Sequence, residues 1–533
     1  MVENRNIIGS RLTSQEGPEM VKNSNIKVHS VINQGATDEW TPPNDWINIR
    51  DVANNEIHLL VGDFVPFIAF SVTVTGGYTV DWGDGSSAEN FASGVIATHT
   101  YTVGNGTPCS RGYTTYKIRI YAQIPANSIT NFKIDNPNTI SGSIQHMYNS
   151  LLWACFGTTG LASLAYAFYD TFDPIYISAY LEAIELPDNL TSCSNFSYMA
   201  YNCYALQYVK MPMNYSNANI NFEQTFTNCY KLPKINYNAT TLAVSSFYQT
   251  HAYNYSLRTA NLPTTVNNCT NWSQVFYFCY SLTEFTAPNI NTNCDCSNMF
   301  SYNYAIRKVT FNATWNGRIT QLISMFTDCR NLEELTFPST VNSMVTMFAS
   351  FLSHCYKLKS FTFPSGHGTI TNIQNIFQTN FLLETVTNFP ALTSVSVMSN
   401  AFAYAVRLKN ISNLDQLGDT TSNFDLSGTY AGMYSIESLS IRNKITGRFV
   451  LTGMNTNLRA KLNSLRFTNA ASTFAGGSPQ IDIQYCSLDA TALNQVFTDL
   501  PTLTGKTIRI TGNPGATTCD TSIATAKGWT VTT

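Results

Sequence analysis

Cysteine is the residue type in this 533-residue chain whose spacing most directly suggests chemistry. Five of the thirteen cysteines stand three residues before a leucine, at one recurring position: Cys203, Cys229, Cys279, Cys329 and Cys355. Regularly spaced thiols could form a metal-binding or redox-active ladder. Related copies of the pattern place Asn254, Asn303, Asn380 or Ala405 at that position, an exchange that a ligand set would not tolerate. We therefore interpret the cysteines as small buried groups that fill a turn, and predict no metal ion and no cofactor.

Catalytic and nucleic-acid-binding patterns are missing from the sequence. The seven histidines are scattered, and no H-E-x-x-H, G-x-S-x-G or phosphate-loop pattern occurs. Charged residues make up 12% of the chain, and the net charge is −3. Binding of phosphate backbones needs a surplus of Lys and Arg, so we expect no nucleic-acid partner. No apolar run approaches the ~18 residues of a membrane span. The sequence thus predicts a protein that is neither an enzyme nor inserted in a membrane.

Two aspartates, Asp81 and Asp84, lie in the stretch Val-Asp-Trp-Gly-Asp-Gly-Ser, and His99-Thr-Tyr101 follows. The carboxylates could bind Ca²⁺, but the Asp-Gly pair favours a tight turn, with His99 ordering a neighbouring strand. The stretch resembles the signature of PKD-type immunoglobulin-like domains, which implies a β-sandwich acting as a spacer or an adhesion module. Five runs rich in β-forming residues are predicted as its strands: 57–61, 67–74, 78–82, 95–101 and 116–121.

A repeat positions the cysteines. Its eleven anchor residues, from Ser178 to Met433, are separated by 24 to 28 residues. In one unit Leu332, Leu335 and Phe337 form an apolar pattern typical of a short half-buried strand, preceded by a short helix or turn. A single unit cannot bury this face, but a stack can. The period and the L-x-x-Φ-x-Φ pattern (Φ, apolar) are typical of leucine-rich repeats. The copies resemble the BspA-like subclass, which occurs in bacterial surface proteins and in phage structural proteins.

The predicted fold is mainly β with short helices. An immunoglobulin-like β-sandwich is followed by a leucine-rich-repeat solenoid with a parallel sheet on one face. Beyond the repeats, a helix that begins after the N-cap residue Asp489 belongs to a closing cap, followed by strands at 507–511 and 528–531. The predicted domains are an N-terminal arm, the sandwich, the solenoid, and C-terminal repeats with a cap, at residues 1–50, 51–125, 126–445 and 446–533.

The exposed strand face of the solenoid is the candidate binding surface. It holds a large share of the scarce charge, and threonines follow at the next outward position: Lys234, Arg258, Glu284, Arg307, Lys308, Glu333, Glu334, Lys359, Glu384, Thr286, Thr310, Thr336 and Thr362. These residues either bind a glycan or a protein, or keep a parallel sheet soluble through cross-strand ladders. The mixed signs do not indicate one charged ligand.

Tyrosines concentrate on the turn-and-helix side of the repeats, such as Tyr198, Tyr201, Tyr204, Tyr248, Tyr253, Tyr255, Tyr277, Tyr280, Tyr302 and Tyr304. They could stack on sugars, but we favour packing between neighbouring coils, with the hydroxyl left at the surface.

These features predict a non-enzymatic virion structural protein of a tailed phage, a tail- or capsid-attached fibre or decoration protein with a role in adhesion or host recognition. The N-terminus lacks the apolar run of a signal peptide, so we expect cytoplasmic synthesis and release on a particle. The arm would contact other virion proteins, and the solenoid would meet a host-surface glycan or protein. Homo-oligomers or many copies would make weak contacts strong. The alternative is a BspA-like bacterial cell-surface adhesin, located outside the cell, that binds host protein or glycan.

Overall fold

The computed structural model describes residues 40–102, 105–135, 149–169, 178–216, 218–414, 423–426 and 428–533. The chain is mainly β with few helices, and its repeats form a β-solenoid of about 13 turns with parallel sheets. The predicted fold class is confirmed. Residues 1–39 of the predicted arm, and with them its proposed attachment role, lie outside the described residues.

Two facing sheets form the N-terminal β region. One contains β1, β3, β4, β6 and β7, and the other has the strand order β5-β2-β8. The Phe70 ring lies 5.7 Å from the Trp82 ring and 5.9 Å from the Phe132 ring, so aromatic packing joins the two sheets. All five predicted strands are present with small shifts at their ends. The bounds are β1 Glu56–Gly62, β2 Phe67–Val74, β3 Tyr78–Asp81, β4 Glu89–Phe91, β5 Ile96–Thr100, β6 Thr107–Pro108, β7 Thr114–Ala122 and β8 Ile129–Ile134.

The N-terminal region and the solenoid share one continuous sheet. Strand β9 (Leu151–Phe156) pairs antiparallel with β1 and parallel with β10 (Ala183–Glu185), the next strand of the solenoid. The first coil therefore covers the edge that β1 would otherwise leave open. The predicted boundary between residues 125 and 126 falls before β8, which pairs with β2, so the strands of the N-terminal region extend to Ile134.

The strand face of the solenoid is built from short parallel strands, one per coil. Each three-residue strand of this face between residues 234 and 387 turns its central residue inward, for example Val309 and Phe361. The strands after β10 are β12 Tyr208–Lys210, β15 Lys234–Asn236, β17 Thr259–Asn261, β19 Glu284–Thr286, β22 Lys308–Thr310, β24 Glu334–Thr336, β25 Ser360–Thr362, β26 Thr385–Thr387, β27 Asn410–Ile411, β29 Ser438–Ile441 and β31 Ser464–Phe467.

Further strands complete the other sides of the described coils, and a 3₁₀ turn lies at Ala313–Trp315. They are β11 Asn189–Leu190, β13 Asn214–Tyr215, β14 Ile220–Asn221, β16 Thr241–Ser246, β18 Thr265–Asn267, β20 Asn289–Ile290, β21 Cys294–Asp295, β23 Ile319–Gln321, β28 Asn423–Leu426, β30 Lys444–Val450, β32 Ile481–Asp482, β33 Lys506–Arg509 and β34 Trp529–Thr532.

The segment before each cysteine position is a succession of turns rather than a helix. Ser324 and Asp328 have φ angles of 55° and 59°, and the equivalent residues of neighbouring coils are also left-handed. A left-handed residue interrupts an α-helix, so a short helix, one of the two forms predicted for this segment, does not form. The turns direct one ring per coil into the core, where Phe276, Phe300 and Phe326 stack with centroids 5.7 and 5.5 Å apart.

The C-terminal segment contains the helix Ala490–Asp499, as predicted. The Ala492 amide donates to the Asp489 carboxylate over 2.8 Å, which is the expected N-cap bond. The helix buries Leu493, Val496 and Phe497 and packs on β31. A second helix spans Ser522–Thr525, and β33 and β34 lie where the last two strands were predicted.

Candidate functional site

Two rows of outward side chains run along the strand face, because each strand presents its first and third residues to the outside. The first outward row comprises Trp153, Ala183, Tyr208, Lys234, Thr259, Glu284, Lys308, Glu334, Ser360 and Thr385. The second outward row comprises Cys155, Glu185, Lys210, Asn236, Asn261, Thr286, Thr310, Thr336, Thr362 and Thr387. Eight of the thirteen predicted face residues lie in these rows. The other five each precede their strand by one residue: Arg258, Arg307, Glu333, Lys359 and Glu384.

The charges of the face pair with one another across the strands. Glu284, Lys308 and Glu334 are in register, and the Lys308 ammonium lies 2.9 Å from the Glu334 carboxylate. The hydrogen bond to Glu334 and the nearby carboxylate charges raise the pKa of Lys308. Lys357 lies 3.3 Å from Glu333, and Lys409 lies 3.5 Å from Glu384. The geometry therefore supports a cross-strand charge ladder.

The second outward row forms an uncharged ladder from Asn236 onward. The Thr387 hydroxyl donates to the Thr362 hydroxyl over 3.0 Å, and the Asn261 amide donates to the Asn236 amide oxygen over 2.5 Å. Thr286, Thr310 and Thr336 stand in register on consecutive strands. Lys234 and Arg258 lie on the two coils before Glu284.

In the first coils the strand face is covered by residues 40–52. The Trp40 ring stacks on Tyr208 at 5.7 Å and meets Trp153 edge-on at 5.4 Å. The Arg50 guanidinium lies 2.8 Å from the Glu185 carboxylate and over the Trp153 ring. Residues 40–50 of the predicted arm are therefore packed against the sheet, with Trp46 and Ile49 buried.

The tyrosines of the turn side stack on one another. Tyr204, Tyr230, Tyr255, Tyr280 and Tyr304 form a column, here called the tyrosine ladder, with successive ring centroids 4.7 to 4.9 Å apart. Arg330 takes the next position, with its guanidinium 4.4 Å from the Tyr304 ring centre, and Tyr356 follows it. The rings face each other, so their edges and hydroxyls face outward, as the packing interpretation requires. The cation in this column was not anticipated, although its spacing from Cys329 matches that of the tyrosines.

The repeated cysteines hold neighbouring coils together. The thiols of Cys329 and Cys355 donate to the carbonyls of Phe300 and Phe326 in the preceding coil, over 3.1 and 3.3 Å. The Asn303 amide donates to the equivalent carbonyl, that of Phe276, over 2.8 Å. This shared bond explains why Asn replaces Cys.

All five repeated cysteines are buried: Cys203, Cys229, Cys279, Cys329 and Cys355. Burial raises the pKa of each thiol. A thiol with a raised pKa is a poor nucleophile and a poor metal ligand at neutral pH.

The aspartates of the N-terminal region shape a turn. The Asp81 carboxylate accepts from the Gly83 amide over 3.0 Å, and Asp84 accepts from the Ser86 amide over 3.0 Å. The His99 ring lies 2.9 Å from the other Asp84 oxygen and stacks on Trp82 at 4.6 Å. Burial raises the pKa of Asp84, but bonds from Ser86 and His99 outweigh it and the pKa is lowered. These contacts support the turn interpretation, and the less favoured alternative of a Ca²⁺ site at Asp81 and Asp84 stays untested.

A buried histidine, His251, occupies the phenylalanine position of its coil, between Phe226 and Phe276. Its Nε2 lies 3.1 Å from the Tyr237 hydroxyl, and burial lowers its pKa to about 3. The ring is therefore neutral, inaccessible and suited to a structural role.

Over the residues that the structure describes, no group of three or more His, Cys, Asp or Glu side chains is arranged to hold a metal ion. The helices of that same part of the chain are all too short or too polar to cross a bilayer.

Comparisons with known proteins agree with the repeat geometry. Four overlapping segments between residues 173 and 425 match the family described as BspA type Leucine rich repeat region, in six copies. The predicted resemblance of the repeats is thereby confirmed, while the PKD resemblance of the N-terminal region stays a prediction.

Two solved structures are similar to the chain. A leucine rich cell surface protein from Faecalibacterium prausnitzii A2-165 is 17% identical; the match covers 47% of this chain and 82% of that one, with a TM-score of 0.23. A leucine-rich repeat protein from Bacteroides ovatus ATCC 8483 is 13% identical, with 67% and 90% covered and a TM-score of 0.30. No curated protein matches the chain.

Proposed function

We propose that this protein is a BspA-like cell-surface adhesin, which recognises a host protein or glycan without catalysing a reaction. The family match of the repeats supports this class, because BspA-like repeats occur in bacterial surface proteins. The solenoid supports it physically, since stacked coils extend a recognition surface by one strip of side chains per repeat.

The tyrosine ladder is the observation that carries the proposal. Each ring is held between two neighbours, as Tyr255 is held between Tyr230 and Tyr280 at 4.7 and 4.9 Å. Little side-chain entropy remains to be lost when a partner binds such a ring. Tyrosine presents an apolar edge and a hydroxyl together, which suits both protein and sugar surfaces. The ladder is thus a rigid contact surface outside the core.

The nucleophilic groups of the described repeats support recognition rather than catalysis. The thiols of the repeat are buried and hydrogen-bonded to carbonyls, as Cys329 is to Phe300. His251 is fully buried, and the charged groups of the strand face neutralise one another in pairs such as Lys308–Glu334. None of these groups faces a site in which a substrate could be activated.

Binding of the full chain to immobilised host proteins and glycans tests the proposal. Tyr255→Ala with Tyr280→Ala removes two rings from the ladder, and we expect affinity for the captured partner to fall about tenfold or more. Tyr255→Phe with Tyr280→Phe is the matched control for folding, because the phenyl rings keep the stack. Equal affinity of the parent and the alanine variant, or no captured partner at all, would contradict the proposal.

The virion role predicted from the sequence stays a second prediction. The comparisons name no phage protein, and the described structure contains no feature that requires a particle. Imaging of released particles with an antibody against the chain distinguishes the two roles: labelling of intact cells supports the adhesin, and labelling of virions supports the phage component.

A further inference from the structure

One line of charges on the strand face alternates in sign from coil to coil. In six consecutive coils, the residue directly after the leucine or isoleucine of the repeat is Arg307, Glu333, Lys359, Glu384, Lys409 and Glu437. We call these six residues the leading row. All are at least partly exposed, and Glu384 has 42% of its side chain accessible. The chain is poor in charge, so six alternating charges are a concentrated feature.

The backbone keeps the leading row in order. The Glu333 amide donates to the Arg307 carbonyl over 2.9 Å. The Glu384 amide donates to the Lys359 carbonyl over 2.8 Å, and the Lys409 amide to the Glu384 carbonyl over 3.1 Å. Each of these three bonds places the two members that it joins about one strand spacing apart, ~4.8 Å. The charge pattern therefore repeats every two coils.

The neighbouring charges strengthen the alternation. A second charge of the same sign lies beside three members of the row: Lys308 beside Arg307, Glu334 beside Glu333, and Lys357 near Lys359. Arg407 likewise stands beside Lys409. Pairs within the chain are made by half-exposed groups, for example Lys357 and Glu333 with 47% and 50% of their side chains accessible. Exposed pairs contribute little to stability, so these charges are still able to attract a second partner.

An alternating row is complementary to a copy of itself that runs antiparallel. With a two-fold axis between the coils of Lys359 and Glu384, each Lys359 faces a Glu384, and Glu333 faces Lys409. At the ends, Arg307 faces Glu437. A parallel copy in the same register would place like charges opposite each other, which is unfavourable. Two-fold symmetric contacts of one patch with itself are the commonest way in which chains form dimers.

We propose that the strand face between Arg307 and Glu437 is an interface for a second copy of this chain, bound antiparallel. The proposal does not depend on the partner of the tyrosine ladder, whose residues are not members of the leading row. The row measures about 25 Å by 10 Å, an area smaller than the ~800 Å² per partner of a stable interface. The dimer is therefore weak, sensitive to salt, and effective when many copies are displayed together.

Sedimentation of the full chain over a concentration series tests self-association. We expect reversible dimers at low salt, whose dissociation constant rises about tenfold or more at high salt. Glu384→Lys places three lysines in consecutive coils and should weaken the dimer by a similar factor. Glu89→Lys, an exposed site on β4, makes the same change in net charge and should leave the dimer unchanged. A parent that stays monomeric throughout, or a dimer indifferent to Glu384→Lys, overturns the proposal.

Disulfide cross-linking of single-cysteine additions tests the direction of the two copies. In the antiparallel dimer, Arg307→Cys of one copy lies opposite Glu437→Cys of the other, so an equal mixture of these variants should form a covalent dimer under mild oxidation. Arg307→Cys alone should not, because five coils separate the two sites. Dimers of Arg307→Cys alone, without the mixed product, would show a parallel arrangement and refute the proposed one. Melting curves that match the parent confirm that each variant is folded.

Discussion

The strand face has two parts that share one backbone and differ in what covers them. From β9 to β12 the first outward row is Trp153, Ala183 and Tyr208, and residues 40–52 lie over it. From β15 onward the same row is Lys234, Thr259, Glu284 and Lys308, and it is accessible. The inward residues do not change in kind between the two parts, for example Ile184 below the first and Val309 below the second.

This difference shows that the coil geometry depends on the inward side alone. The types of the outward residues depend instead on whether another segment or molecule covers them. Apolar outward residues occur where the chain supplies its own cover, and charged or hydroxyl residues occur where water has contact. A partner for the open part must therefore satisfy charges and hydroxyls, which is why ion pairing rather than apolar docking characterises the proposed dimer.

The largest loss of stability is expected from a change in the core below the open part of the strand face. Leu332 is fully buried, and Leu332→Asp would place an unpaired carboxylate in the shared core. We expect a loss of more than about 4 kcal/mol in the free energy of unfolding, with loss of the neighbouring coils. Denaturant titration measures the loss, and hydrogen exchange locates it. Glu333→Asp, next in sequence and exposed, is the control; a Leu332→Asp variant as stable as this control would refute the assignment of the core.

The next effect tests the covered part. Trp153 is fully buried between the sheet and the covering segment, in contact with Trp40 and Arg50. We expect Trp153→Ala to lower the free energy of unfolding by about 3–5 kcal/mol, since it removes a large ring from two packed layers. Protease cleavage near residues 40–52 should become faster at the same time. A loss of stability without that cleavage would mean that Trp153 supports the sheet but does not hold the cover.

Residue patterns within one coil were sufficient to predict most of the solenoid. Leu332 and Phe337 follow the repeat, and the N-cap at Asp489 marks the last long helix, because these features depend on neighbours in sequence. The cover over the first coils was not predicted, because Trp40 meets Tyr208 across more than 160 residues. A signal was nevertheless present: Trp153 and Tyr208 stand where later coils have lysine, glutamate or threonine.

In the candidate site, too, features set by neighbouring residues were predicted, and features set by distant contacts were not. The period of the repeat was sufficient to place charges and threonines on or directly before the strands of one face, while their role in binding stays a prediction. Which charges pair could not be predicted, because Lys357 and Arg407 approach their partners from outside the strands. The shared sheet at β9 was also missed, as pairing between β1 and β9 joins segments about 95 residues apart.

A smaller, pH-dependent effect on the free energy of unfolding is expected at His251, on the inward side of a coil in the open part of the strand face. The pKa of His251 is about 3 in the folded chain and ordinarily 6.5, so the folded state favours the neutral ring. The contribution of the neutral His251 ring to the free energy of unfolding is fully present above pH 6.5. It decreases by about 1.4 kcal/mol per pH unit as the pH falls from 6.5 toward 3. His251→Phe with Tyr237→Phe continues the phenylalanine stack and leaves no unpaired Tyr237 hydroxyl.

Unfolding free energies of the parent and this double variant, measured between pH 7 and pH 4, separate His251 from all other titrating groups. We expect the free energy of unfolding of the variant to rise relative to that of the parent as the pH falls below 6.5, by about 1.4 kcal/mol per pH unit. A difference that stays constant over this range would show that His251 is solvated or protonated in the folded chain.

The smallest effect is expected at Lys308, which occupies the same outward row as Trp153 but lies in the open part. Half of its side chain is accessible and its partner Glu334 is more exposed still, so water replaces either group readily. Lys308→Ala should leave the denaturation midpoint of the monomer unchanged within error, and the double change with Glu334→Ala should show no coupling at physiological salt. A clear coupling that survives high salt would mean that the ladder stabilises the fold. The outward row would then serve the coil itself rather than a partner, and the distinction between the covered and the open part would no longer hold.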